Sequence, residues 1–407
     1  MSTVAPAWSR VFEVLGVFLR LGCTSFGGPV AHLGYFREEF VVRRRWLSDE
    51  EYAQLVALCQ FLPGPASSQV GFALGLRRAG AVGAITAWIA FTLPSALIML
   101  ALAFGASAVS GPVADGVLQG VLAVAVAVVA QAVHGMARAL APNVPRGSIA
   151  VLAGIGALLV GGVWGQLAVL CGGAVAGLVL FRRRATRDSL AAHQGPEGTG
   201  GSRRVALIAL GVWGALLAAL PVLAAALQNV VLAITDAAYR AGATVFGGGH
   251  VVLATLEAEP AISRAIDQEQ LLFGYGAAQA MPGPLFSFAA YVGALADASG
   301  GTGERLALAM IALTAIFAPG FLLLLGVLPF WARLQRRPSV AAAVRGINAA
   351  VVGVLAAAFV NPVLLHGVTG PATLVLALVS LAALLLRVPP WLVVVAGAVC
   401  GGVGSLV

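Results

Sequence analysis

Lysine does not occur once in this sequence: all 24 basic residues are arginine, and charged residues make up only 10% of 407 positions. Soluble domains carry roughly a quarter of their residues charged, so a soluble two-domain protein is excluded. Cysteine is scarce as well. Cys23, Cys59, Cys171 and Cys400 lie far apart with no CxxC pair and no partnering histidine, which argues against zinc or disulfide frameworks and leaves them as small buried apolar residues. His32, His134, His250 and His366 share no metal-like spacing, His193 falls in a polar stretch, and all are read as incidental. HExxH, GxSxG and clustered carboxylates are missing, which leaves an intramembrane enzyme acting on a lipid-linked substrate as a remote alternative. No cofactor or metal is expected. The N-terminus lacks an apolar leader followed by a small-residue cleavage site, so the first apolar segment is expected to be retained as a span.

What is present is apolar: 60% hydrophobic residues and a mean hydropathy of +0.97. Runs of that kind belong in lipid, and the fold class is an all-α polytopic membrane protein. The formal charge of +8 comes from arginines spread over short connecting loops. That distribution reports membrane orientation and anionic lipid, not a nucleic-acid-binding face.

The chain writes one long pattern twice. Arg20, Gly22, Thr24, Phe26, Gly27 and Gly28 recur 220 positions later as Arg240, Gly242, Thr244, Phe246, Gly247 and Gly248. Gln60, Pro63, Gly64 and Pro65 recur after 219 as Gln279, Pro282, Gly283 and Pro284. The offset widens to 225 at Pro94 and Pro319 and to 226 at Gly120 and Gly346, so a few residues have been inserted near 300–303. One gapped register of this length marks an internal duplication.

Apolar segments are expected at 10–28, 52–76, 81–107 and 113–140, with two tightly turned crossings in 148–181. A charged connection, 29–51, includes a short interfacial helix and Trp46 at headgroup depth. The second copy supplies 227–249, 270–295, 304–331, 340–361, 371–386 and 389–406, and an unpaired segment at 205–220 brings the total to thirteen. The domains read as a first repeat over 1–181, a linker and extra helix over 182–226, and a second repeat over 227–407. If every segment crosses, the extra helix makes the halves inverted repeats. The excess of loop arginine puts the 182–204 linker in the cytoplasm whether the PGP segments cross or turn back, and leaves the relative orientation of the halves undecided.

PGP carries the mechanism. Each proline lacks an N–H and disfavours helical backbone in the residue before it, so a helix must end near Leu62 and a new half-helix begin at Pro65. The amides near Ala66, Ser67 and Ser68 then present the positive end of a helix dipole, as do those near Pro284 and Ser287, and such ends suit an anion in a protein-lined cavity. Arg20 and Arg240 lie inside apolar helices, where a charge costs at least about 3 kcal/mol and needs a cavity or a partner. An arginine fork suits an oxyanion; the alternative is a structural lock to carbonyls freed by the breaks. Asp236, four residues before Arg240, is placed to pair with it. Gln60 and Gln279 are expected to be buried amides, bonding either the ligand or those carbonyls. Gly27, Gly28, Gly247 and Gly248 allow close backbone approach or tight helix packing. Thr24, Thr244, Ser67, Ser68, Gln69 and Ser287 are donors of lower rank. Glu13 and Asp236 are the intramembrane carboxylates available for proton coupling.

FGGPxAH, a charged segment and QxxPGP, doubled in one chain, resemble the chromate ion transporter family in its long, two-domain form. The resemblance covers nearly the whole chain. It implies a plasma-membrane exporter of chromate with an odd number of spans and antiparallel halves, and importance for Arg20, Gly27, Gly28, Pro63, Gly64 and Pro65. The second copy departs from the family pattern: GGGH replaces GGPV, and 256–270 is acidic where its counterpart is arginine-rich. Chromate is a tetrahedral dianion, and an inside-negative potential favours its exit by about 4.6 kcal/mol per 100 mV. Alternating access of the repeats around a midplane anion site, conferring chromate resistance, is the expected mechanism. Sulfate or molybdate is the alternative cargo, and a homodimer is left open.

Overall fold

The computed structural model describes residues 7–26, 28–105, 111–160, 162–191, 202–245, 252–297, 300–334 and 337–405; Gly27, Gly247, Gly248, His193 and His250 fall outside them. Among the described residues all regular structure is helical. The first copy comprises α1 (Ala7–Thr24), α2 (Gly28–Arg37) with a π-helical turn over Glu38–Arg43, α3 (Asp49–Phe61), α4 (Ala66–Gly105), α5 (Pro112–Leu140), α6 (Val144–Val160) and α7 (Gly162–Ala191). Helix α8 (Arg203–Leu227) stands between the copies. The second copy comprises α9 (Val230–Thr244), α10 (Val252–Glu257), α11 (Pro260–Ser263), α12 (Gln268–Ala280), α13 (Phe288–Leu295), α14 (Thr302–Val327), α15 (Trp331–Leu334), α16 (Pro338–Ala358), α17 (Leu365–Gly367), α18 (Pro371–Leu385) and α19 (Pro390–Gly404).

The thirteen apolar segments differ in length: besides the long helices, five shorter apolar helices run Val144–Val160, Leu167–Arg182, Leu285–Leu295, Pro371–Leu385 and Pro390–Gly404. Among the described residues five helices are long and apolar enough to cross a membrane: two in each copy, with α8 between. Helix α3 has 13 residues and spans about 20 Å, against about 30 Å of hydrocarbon. It starts from a Ser48–Glu51 capping box and stops where Pro63 removes the next donor. The chain then turns back. Glu51, at the start of α3, meets Arg77 at 2.7 Å, so both legs of the PGP hairpin share one end. Ala79 and Gly80 leave helical geometry there, Gly80 with φ +66°, and the chain re-enters as the long second part of α4. The second copy repeats the hairpin, with the Tyr291 hydroxyl donating to the Gln270 carbonyl at 3.0 Å.

Helix α1 reverses in the same way. The returning α2 and π-helical turn stack Phe36 and Phe40 on Phe18, with ring centroids 5.8 and 5.1 Å apart. Further out the copies interlock: α5 packs on α18 and α19, while α16 packs on α6 and α7. Small residues permit this. Gly120 lies against Gly397 and Gly401, and its counterpart Gly346 against Gly173 and Gly177, so that backbones touch with no side chain between them.

Candidate functional site

At the centre the two PGP tips are held by each other's copy. The Gly64 amide donates to the Val245 carbonyl at 2.7 Å, and the Gly283 amide donates to the Ser25 carbonyl at 2.9 Å. Val245 is the counterpart of Ser25 at the 220 offset, so the two bonds are one contact made twice. Each copy thus gives the other the same donor and receives the same acceptor. Both glycines need their missing side chain: Gly64 has φ +117° and Gly283 φ +96°, and a Cβ on Gly64 would stand 3.0 Å from Gly320 Cα. Pro63 and Pro65, like Pro282 and Pro284, keep helix from forming through the tips.

Around the first tip, polar groups outnumber their partners. Helix α4 opens at Ala66, and its ladder begins with the Gln69 amide donating to the Pro65 carbonyl at 2.9 Å. The amides of Ala66, Ser67 and Ser68 precede that ladder. The Ser68 hydroxyl is buried without a hydrogen-bond partner, and so is that of Ser25. Buried His32 bridges Ser25 and Ser67, with Nε2 3.1 Å from the Ser25 carbonyl and Nδ1 3.3 Å from the Ser67 hydroxyl. A carbonyl only accepts, so Nε2 carries the proton and Ser67 donates to Nδ1. Gln69 Nε2 donates to the Pro63 and Gly320 carbonyls at 3.1 and 2.9 Å, tying this tip to α14.

The second tip is closed and apolar. It opens with a 3-10 turn over Leu285–Ser287, and the Ser287 hydroxyl donates to the Pro284 carbonyl at 2.8 Å. Leu285, Phe286 and Phe288 are buried around it. Thr24 and Thr244 turn their hydroxyls back on the Arg20 and Arg240 carbonyls at 2.8 and 2.9 Å, so those donors are used. Gln60 is exposed, against the buried position expected for it; Gln279 is half-buried and bonds Tyr275. Of the four cysteines only Cys59 is buried.

Each of the two repeated arginines is locked to a carboxylate, where carbonyls had been the structural alternative. Arg20 meets Glu39 at 2.5 Å, and Arg240 meets Glu259 at 2.7 Å. Both glutamates lie nineteen positions after their arginine and 220 from each other, so this pair too is duplicated. The surroundings differ. Glu39 also takes Arg44 at 2.6 Å and Arg43 at 3.4 Å, while Glu13 takes Arg44 at 2.9 Å and Arg78 at 2.7 Å. Glu13 is therefore part of an arginine-rich surface network, with Arg78 also lying 5.0 Å over Trp46. Burial alone would raise Glu39, but hydrogen bonds from Arg44 and Arg20 hold its carboxyl below the usual range. In the second copy Arg240 is the shared cation of two carboxylates, with Asp236 2.7 Å away on the same helix face as expected. Burial pushes Glu259 up to about 8 despite Arg240.

Three of these residues escaped the sequence reading. Glu39 and Glu259 had a signal, the 220 offset combined with the shared nineteen-residue gap from arginine; the change from basic to acidic surroundings masked it. His32 had only its place at the end of FGGPxAH, since its counterpart position holds Val252 and its partners come from helix packing.

The chromate transporter family model matches residues 12–178 and 232–402. A chromate transport protein of Pseudomonas aeruginosa is 28% identical over 358 residues, covering 86% of this chain and 80% of its own. A chromate transport protein of Cupriavidus metallidurans is 27% identical over 397 residues, covering 94% and 89%. A probable chromate transport protein of Synechococcus elongatus is 28% identical over 360 residues, covering 88% and 85%. No solved structure matches the chain.

Proposed function

Because the chain belongs to the chromate transporter family, a family of multi-pass membrane transporters and not of enzymes, we propose that it exports chromate across the plasma membrane and so confers chromate resistance. The copies act as inverted repeats: two long helices, α8, then two more put the second copy into the membrane from the opposite face. The 182–204 linker lies in the cytoplasm, the side on which loop arginine accumulates. The anion binds between the PGP tips, on the amides of Ala66, Ser67 and Ser68, the hydroxyls of Ser25 and Ser68, and the guanidinium ends of Arg20 and Arg240. Those arginines stand five residues, about 7.5 Å of helix, before the two crossing carbonyls. Rocking of one repeat against the other opens the site to alternate sides.

The observation that carries this reading is the pair of reciprocal bonds by which each tip is held on the other copy's first helix, beside buried hydroxyls that lack partners. Everted membrane vesicles test it. Radiolabelled chromate is expected to accumulate inside, faster under an imposed potential, with weaker competition from sulfate, and Ser68→Ala is expected to slow uptake several-fold. Sulfate accumulating in place of chromate would transfer the reading to that cargo, and no uptake of either would end it.

A further inference from the structure

We infer that Glu259, with Asp236 and Arg240, forms a proton-binding site that takes up one proton as the oxyanion binds, so that anion and proton move together. This inference rests on the transport reading above. Both carboxylates reach the same nitrogen, Arg240 Nη2, at 2.7 Å each. The three side chains are 6%, 18% and 2% exposed for Asp236, Arg240 and Glu259. Two ionised acids on one guanidinium would leave a net negative charge in a nearly closed site, a state that burial disfavours strongly. A proton on one carboxyl restores neutrality.

The remaining atoms say what the proton releases. Arg240 Nε is buried with no hydrogen-bond partner, and so is Asp236 Oδ1. With Glu259 protonated, Arg240 keeps one ionised partner and turns its unused Nε donor toward an incoming oxyanion. By linkage, anion binding tightens the proton by the same factor. The first copy has no such need, since Glu39 and Glu13 meet Arg20, Arg43, Arg44 and Arg78.

The charged groups around Glu259 are few. Helix α9 presents Asp236 and Arg240. Helix α10 carries Glu257, which accepts from Gln268 Nε2 at 3.3 Å; α11 carries none, Arg264 follows it, and α12 and α16, packed against α10, carry Glu269 and Arg345. Glu257, itself raised by burial to about 7, is the competing proton site and needs its own control.

The test is proton uptake by the purified full-length transporter in weakly buffered detergent at pH 9, where Glu259 is mostly ionised before the anion binds, followed with an indicator dye while potassium chromate is added and bound chromate is counted. Wild type is expected to take up close to one proton per chromate bound, and its chromate affinity is expected to weaken about tenfold per pH unit above 8. Glu259→Gln should bind chromate with no uptake and a flat pH profile, Glu259→Asp should restore uptake, and Glu257→Gln should leave it unchanged. Chromate bound by wild type without proton uptake would overturn the coupling alone. Absence of chromate binding would overturn the transport reading and the coupling with it.

Discussion

The two PGP tips share a backbone and differ in what surrounds it. Each ends a 13-residue helix, turns through a glycine with positive φ and is caught by the other copy's first helix. The first tip then opens onto hydroxyls, an imidazole and helix amides, beside an arginine held in a cationic network. The second tip spends its serine on its own carbonyl and buries phenylalanines, beside an arginine outnumbered by acids. Duplication kept what closes the centre of the molecule and let the charge balance diverge, because geometry at a crossing is constrained by both copies while each arginine answers to its own loop.

The largest effects are expected where the copies agree. Gly64→Ala and Gly283→Ala each add a Cβ in a left-handed conformation against the opposite copy, Gly320 Cα at 3.0 Å or Ser95 Oγ at 2.9 Å. Backbone strain and overpacking together cost about 2–6 kcal/mol, and both variants should lose the monodisperse peak in size-exclusion chromatography. If only one did, the reciprocity of the crossing would be broken. Next come the arginines. Arg240→Ala leaves two buried acids without a cation and should cost about 3 kcal/mol, whereas Arg20→Ala removes a half-exposed partner from a glutamate that keeps Arg44 and should cost under about 1 kcal/mol. Thermal melting of the two purified variants would rank them, and equal losses would erase the distinction between the copies.

The smallest effect is a pH dependence of opposite sign in the two copies. Glu259 sits at about 8 when folded against an ordinary 4.5. The folded state therefore holds a proton that the unfolded state lacks, and stability falls as pH rises from about 5 through 8 before levelling. Glu39 is lowered from 4.5, so its contribution is present above that value and lost as pH falls below it. Melting temperature followed from pH 4 to 9 should decline at both ends, and Glu259→Gln should lessen the decline on the alkaline side only, leaving the part below about pH 7 that Glu257 contributes.

The membrane class, the repeated pattern and the helix breaks at PGP were legible in the residues, since each follows from local rules: apolar length, a repeated register, and prolines without a donor. The Asp236–Arg240 pair was legible too, being one helical turn. The hairpins were not. Residues 52–76 are long enough to cross when counted as one segment, and only the meeting of Glu51 with Arg77 reveals two short legs. The position of Glu39 beside Arg20 depends on α2 folding back along α1, and His32 owes its role to Ser25 and Ser67 arriving from two other segments.

Sequence alone thus determined that this chain spans a membrane, was built by doubling one unit, and must interrupt its helices at the same two places. Tertiary structure decided that each interruption is bound by the other copy, and that one arginine is saturated with cations around its glutamate while the other is short of them. The physical reason is range. Proline, glycine and hydropathy act on the few residues beside them, whereas the bonds that hold the tips join groups 181 and 258 positions apart, and the charge balance of each arginine depends on a loop that folds back onto it.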